Sequence, residues 1–258
     1  MMEEAYAFMD LYAKAKVLVL GGGSNPGLEA VFMDSAQIAV TTRPMTVEEK
    51  ERASSGGFQV HEFKIAKDGI AIVVNPSNPV EKLTVTQVAE IFTGRMKDWS
   101  EVGGKSGSIR VCIWNENSGT YTFFRDGILK IDQYTDRAWR FDNTEEMIKN
   151  IEKEHGAIGL ISMAHLYRSW NPLIEETRIK PLAIGQSPQG EFVLPDEATV
   201  HDSTYPFIRN IYLYTSHEPK GLANGFITFL TSSAGQKIIA GNGFVPVTVP
   251  VKYKKGSL

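Results

Sequence analysis

The sequence predicts an α/β fold in two lobes, and three observations lead there. Apolar strand-like runs alternate with helix-like runs along the chain, from "KVLVL" and "AQIAVTTRPM" to "GSIRVCIWN" and "RNIYLYTS", the pattern of parallel α/β sheets. Twice, a strand delivers glycine and a small hydroxyl residue onto a helix start, first in "VLVLGGGSNPG" and again in "VCIWNENSGT". The apolar run in "KIAKDGIAIVVNPSNPV" (64–80) is closed by two prolines, as expected of a strand leaving one unit for another; "RNIYLYTS" (209–216) leads back. Two such crossovers divide the chain into lobe I, residues 1–75 plus 208–258, and lobe II, residues 76–207.

Each element follows from local pattern. Residues 3–15 read as an acidic amphipathic helix and "KVLVL" as a buried strand. Ser24 is the expected N-cap of a short helix over 26–34, with Pro26 in its first turn, where a missing N–H costs nothing. "AQIAVTTRPM" (36–45) is a strand with a polar end, and Thr46 caps a helix with carboxylates in its first turn. Thr84 starts the helix in "LTVTQVAEIF", and Ser118-Gly119-Thr120 starts the one after "GSIRVCIWN". Residues 143–163 give helix, turn and strand; two helices and a last strand close the chain.

A glycine turn between strand and helix offers N–H groups at the positive end of a helix dipole, so its default ligand is an anion. Three anion or nucleophile motifs fail here. Pro26 falls where both the dinucleotide fingerprint and the nucleophile elbow need glycine, and no Gly-Lys-Ser/Thr follows for a phosphate loop. The formal net charge of −3 argues against a nucleic-acid surface, so any anion site is local. A single cysteine, Cys112, allows no internal disulfide; five scattered histidines without HExxH spacing suggest no zinc site. No cofactor is implied. No run approaches a transmembrane span, and "MMEEAYAFMDLY" has neither the basic nor the apolar region of a signal peptide.

Taken in order, "GGGSNPG", "IAVTTRPM", "KDGIAIVVNPSNPV", "IFTGRMKDWSEVGG", "NSGTYTFF", "GAIGLISM", "YPFIRNIYLY", "FITFL" and "AGQKIIAGNGFVPV" resemble the phosphate-binding proteins of bacterial ABC transporters, which have the type II periplasmic binding protein fold. The resemblance implies two lobes joined by two crossover hinge strands, with phosphate or a related oxyanion held in the cleft. It also implies an ABC permease partner, a monomer, and a periplasmic or cell-surface location. Carried over by position, Ser24 matches the family's ligand serine and Thr42 lies where members place a ligand residue. Ser118, Gly119 and Thr120 match the anion turn.

Three departures qualify the match. Trp114 stands where many members carry an arginine, and Arg43 is the expected compensating charge. Glu116 stands where some members have an aspartate that accepts the ligand's proton, which would favour phosphate over sulfate. The family's first strand should precede the 3–15 helix; this sequence opens inside that helix, so Met1 reads as an internal methionine or a start boundary.

Two other readings stay open. One is an anion sensor or vestigial binding protein of the same fold. The other is a hydrolase with Ser24 or Ser118 as nucleophile, disfavoured because neither serine has a histidine or lysine base in motif context. Asp68 reads as a turn residue before the crossover strand, and Cys112 as an inert buried thiol.

Overall fold

A computed structural model describes residues 1–130, 133–166 and 179–247. In chain order the elements are α1 (Met2–Leu11), α2 (Ser24–Phe32), β1 (Ala39–Thr41), α3 (Val47–Ser55), β2 (His61–Val74), β3 (Lys82–Thr84), α4 (Val85–Phe92), β4 (Arg110–Trp114), α5 (Gly119–Phe124) and β5 (Trp139–Phe141). There follow α6 (Thr144–Lys153), β6 (Ala157–Ser162), β7 (Lys180–Pro181), β8 (Ala183–Gly185), β9 (Phe192–Val193), α7 (Glu197–His201), β10 (Ile208–Thr215), α8 (Gly221–Thr231), α9 (Ser233–Gly241) and β11 (Val245–Pro246). The architecture is α/β, as the alternation of elements predicts. Thr46 with Glu49, and Thr84 with Gln87, form the capping boxes that start α3 and α4. Among the described residues no helix is long and apolar enough to cross a membrane.

The main sheet runs β1-β10-β2-β6-β4-β5, with β11 and β7 also on β2; a small sheet runs β3-β8-β9. Among the described residues parallel pairing is confined to β4 with β5 and β6, and to β3 with β8. The centre is antiparallel, because β2 and β10 carry the chain in opposite directions. The fourteen-residue β2 changes neighbour along its length: it pairs with β10 through Gly69 and with β6 from Ile70 onward. A Cβ on Gly69 would lie 2.8 Å from a Val200 methyl and 3.0 Å from the Met163 sulfur, so only glycine fits this junction without repacking.

The buried apolar residues divide at the same place. Ala5, Phe8, Ile65, Leu213, Phe226 and Leu230 pack together, as do Leu28, Val31 and Tyr214. Beyond the junction Ile70, Ile72, Leu83, Phe92, Ile113, Phe124 and Phe207 share one core, and Ala71, Val73, Met147 and Ile161 another.

The buried strand expected of "KVLVL" does not form. Residues 17–20 belong to no sheet, and they alternate instead: Val17 and Val19 pack on the core, while Leu18 is 82 % and Leu20 74 % exposed. A strand needs a hydrogen-bonding neighbour, and the Val17 N–H goes to the Met9 sulfur at 3.3 Å.

Candidate functional site

The two glycine turns face each other. Gly22 and Gly23 have φ of 142° and 100°, backbone that side chains disfavour, and they bring the chain onto α2 at Ser24. A Cβ on Gly23 would stand 2.8 Å from the Asn117 carbonyl oxygen; one on Gly119 would stand 2.6 Å from the Ser24 hydroxyl and closer still to that of Thr42. Glycine at both positions therefore allows the turn before α2 and the turn before α5 to touch.

Ser24 is the first residue of α2 and not its N-cap, a position Gly23 takes. Its hydroxyl accepts the Thr42 N–H at 3.2 Å and lies 3.5 Å from the Thr42 hydroxyl. Ser118 does cap α5, its hydroxyl accepting the Thr120 N–H at 3.2 Å. The helix continues from α5 as a wider turn over Arg125–Leu129.

The group that joins these hydroxyls is Arg209, on β10. Its Nη1 donates to the Thr120 hydroxyl at 2.7 Å and to the Thr42 hydroxyl at 3.2 Å. Its Nε and Nη2 donate to Asp68 Oδ2 at 3.0 and 2.8 Å. Asp68 is fully buried and Arg209 is 7 % exposed. The Ser162 hydroxyl donates to Asp68 Oδ1 at 2.7 Å and accepts the Ala164 N–H. A chain of contacts thus runs from Ser162 and Asp68 through Arg209 to two threonines on opposite sides of the β2 junction. Charge within it cancels, and a buried pair held this way avoids the cost of either ion alone.

Of the residues the sequence nominates, Ser24, Thr42, Ser118, Gly119 and Thr120 lie together. Arg43 and Glu116 lie elsewhere. The Arg43 guanidinium is turned onto Glu49 (Nη2 to Oε1 2.6 Å, Nη1 to Oε2 2.7 Å), the Asn25 side chain and the Pro44 carbonyl; donating to Glu49 raises its already high pKa, against the opposing effect of burial. Burial works against ionising Glu49, but Arg43 and the Thr46 N–H hold its carboxyl below the usual range. Glu116 points to solvent, its side chain 72 % exposed and 3.4 Å from Arg140. Trp114 donates its indole N–H to the Leu160 carbonyl at 2.7 Å, staying with the packing of β4 on β6.

Sequence reasoning missed Arg209 and Ser162, and took Asp68 for a turn residue. A signal was present: Asp68 and Arg209 each interrupt an apolar strand, and a charge in such a place requires a partner. Cys112 is buried, which pushes its thiol up to about 12. Among the described residues no group of His, Cys, Asp and Glu is placed to hold a metal.

The family profile of the PBP superfamily domain matches residues 1–234. The phosphate-binding protein PstS of Staphylococcus saprophyticus is 28 % identical over 211 residues, covering 81 % of this chain and 63 % of that protein. PstS of Bacillus subtilis is 29 % identical over 249 residues, covering 95 % and 75 %. This chain therefore spans less than two thirds of the first relative's length. A Clostridium perfringens protein described as a phosphate ABC transporter substrate-binding protein, solved with phosphate bound, superposes with a TM-score of 0.82 at 24 % identity, over 96 % of this chain and 94 % of that one.

Proposed function

The chain belongs to the PBP superfamily, and on that premise we propose that it is a solute-binding protein that captures phosphate, or a related oxyanion, for an ABC importer. The observation that carries this reading is that the Thr42 and Thr120 hydroxyls meet on one buried arginine, with Ser24 and Ser118 bonded to the backbone of the same two threonines and the Gly119 turn packed against Ser24 and Thr42. Relatives named as phosphate-binding proteins support the same ligand.

The proposed ligand groups are Ser24, Thr42, Ser118, Gly119 and Thr120, with Arg209 beneath them. Hydroxyl and backbone donors replace the anion's hydration shell. Arg209 supplies the guanidinium that Trp114 does not. Arg43 is left out of the set: by tying Glu49, Asn25 and Pro44 together it fixes the loop that carries Thr42. Glu116 is left out because its carboxylate faces Arg140 and solvent.

Lobe I (1–75 with 208–258) and lobe II (76–207) move about the two crossing strands, and closure on the anion reports occupancy to the permease. The buried cores divide at the Gly69–Ile70 junction, which supports two lobes and packs residues 70–74 of β2 with lobe II. In this reading the protein acts outside the cytoplasmic membrane, as a monomer, and performs no chemistry. Ser24 and Ser118 support the last point, since each hydroxyl accepts a backbone N–H and, among the described residues, neither is bonded to an imidazole or amine.

Calorimetry with inorganic phosphate tests the proposal. One-to-one saturable binding is expected, with a smaller radius of gyration when phosphate is present. Absence of binding overturns it.

A further inference from the structure

Resting on that reading, we infer that Lys67 is a brace across the hinge: by bonding the turn that leads into β10 it holds the two lobes at their closed angle, and so adds to phosphate affinity from outside the site. The Lys67 ammonium donates to the His201 carbonyl at 2.9 Å and to the Ser203 hydroxyl at 3.1 Å. An ammonium has donors and no acceptor, so both oxygens accept.

The two ends of this contact belong to different bodies. Lys67 lies on the lobe I side of the Gly69 junction, paired with Asn210 of β10 and Val245 of β11. His201 ends α7 and Ser203 follows its cap, and the surroundings tie both to lobe II. Val200 is fully buried in the core that holds Ile70 and Phe207. The Tyr205 hydroxyl donates to the Ile70 carbonyl at 2.8 Å, and the Ile70 N–H donates to the Phe207 carbonyl at 2.8 Å. Along β2, Asp68 and Gly69 alone separate Lys67 from this unit.

Successive side chains of a strand point to opposite faces. Asp68 faces Arg209, so Lys67 reaches out on the other face, behind the hinge. The bonds from Arg209 to Thr42 and Thr120 describe lobes brought together, and in that arrangement both Lys67 contacts have the length of full hydrogen bonds. A rotation about Gly69 that parts the lobes turns His201 and Ser203 as one piece relative to a Lys67 held by β10 and β11. One ammonium tied to two acceptors then loses at least one of them.

The backbone at Ser203 points the same way. Its φ is 60°, the left-handed conformation that follows many helices and is most often taken by glycine. What serine adds at this disfavoured position is a hydroxyl, the second acceptor for Lys67.

Calorimetry and small-angle scattering with inorganic phosphate test the brace in the wild type, Lys67→Met and Ser203→Gly, with urea unfolding beside them. Lys67→Met keeps the apolar stem and removes the ammonium; Ser203→Gly removes the hydroxyl and suits the positive φ. The contacts are exposed to water, so the effect is moderate. Both variants should bind phosphate about twofold or more weakly, and Lys67→Met up to about tenfold, with the phosphate-loaded radius of gyration of the wild type. Ser203→Gly should unfold at the wild-type urea concentration or above it, which separates its weaker binding from a weaker fold. Affinities less than about twofold from wild type, or tighter binding, overturn the inference; so does a loss confined to the unfolding midpoint, which is a structural role alone. If Lys67→Met does not fold, Ser203→Gly decides by the same criterion. A wild type that binds no phosphate removes the proposed function and the inference with it. A wild type that binds phosphate without contracting, or that contracts while the variants bind as it does, removes the inference alone.

Discussion

Asp68 and Arg209 occupy directly opposed positions on the antiparallel strands β2 and β10, and their side chains meet as a buried ion pair at 2.8 Å. One residue lies on each crossing strand, two positions before Ile70, where β2 exchanges β10 for β6. Removing the carboxylate leaves a buried guanidinium without its counter-charge. Asp68→Ala should therefore destabilise the fold by about 3–5 kcal/mol, and Asp68→Asn, which keeps an acceptor oxygen, by less. Urea unfolding of the three proteins measures both.

Gly119 is the contact point between the two turns. Its hydrogen faces the Ser24 and Thr42 hydroxyls where a methyl has no room. Gly119→Ala should hold those hydroxyls apart and reduce phosphate affinity by at least about tenfold, with the far-ultraviolet circular dichroism unchanged. Calorimetry beside the spectrum checks the two halves of this expectation.

Glu116 is the residue whose expected and observed roles differ most. A carboxylate accepting the ligand's proton would lose its effect on Glu116→Gln, and the phosphate-to-sulfate preference would shift. Because its side chain faces solvent and Arg140, the ratio of the two affinities should stay within about twofold of wild type, since an exposed pair contributes little. Parallel titrations of both anions decide the matter.

The Arg43–Glu49 pair gives a pH signature of stability. Glu49 has its carboxyl pKa lowered by folding, so its contribution is complete above the unfolded value near 4.5 and is lost as pH falls through the folded value. Glu49→Gln should cost about 1–2 kcal/mol near pH 7, with the gap to wild type closing as pH falls below 4.5 and through the lowered folded value. Denaturant midpoints across that range provide the measurement; a gap that widens on acidification contradicts the assignment.

Local signals in the sequence were sufficient for most elements because each carries its own physics. Thr46 with Glu49 and Thr84 with Gln87 mark helix starts by capping, and the apolar run before Asn75 marks the long crossing strand. The Ser118-Gly119-Thr120 turn was likewise legible, since a cap acts within three residues. Less legible was anything decided across the chain. Whether residues 17–20 form a strand depends on a neighbour, which their own apolarity does not supply. Arg43 and Arg209 are both single cations at or within strands, and what separates their roles is which carboxylate folding brings to them, Glu49 from the next helix or Asp68 from an opposed strand. Ser24 looks like a cap in sequence, and only the backbone at Gly23 frees its hydroxyl for Thr42.

The partition of the cores along β2 has a consequence for the order in which the chain acquires structure. Phe8, Ile65 and Ala66 find their apolar partners at Ile211, Leu213, Phe226 and Leu230, so the chain through Ala66 leaves the ribosome before its complement has been made. The later core, from Ile70 to Phe207, draws on a nearly continuous stretch that only Val245 supplements. Contacts within a stretch close sooner than contacts across a chain. The middle of the polypeptide should thus settle first, and the opening residues should remain susceptible to proteases and chaperones until β10 returns to cover them.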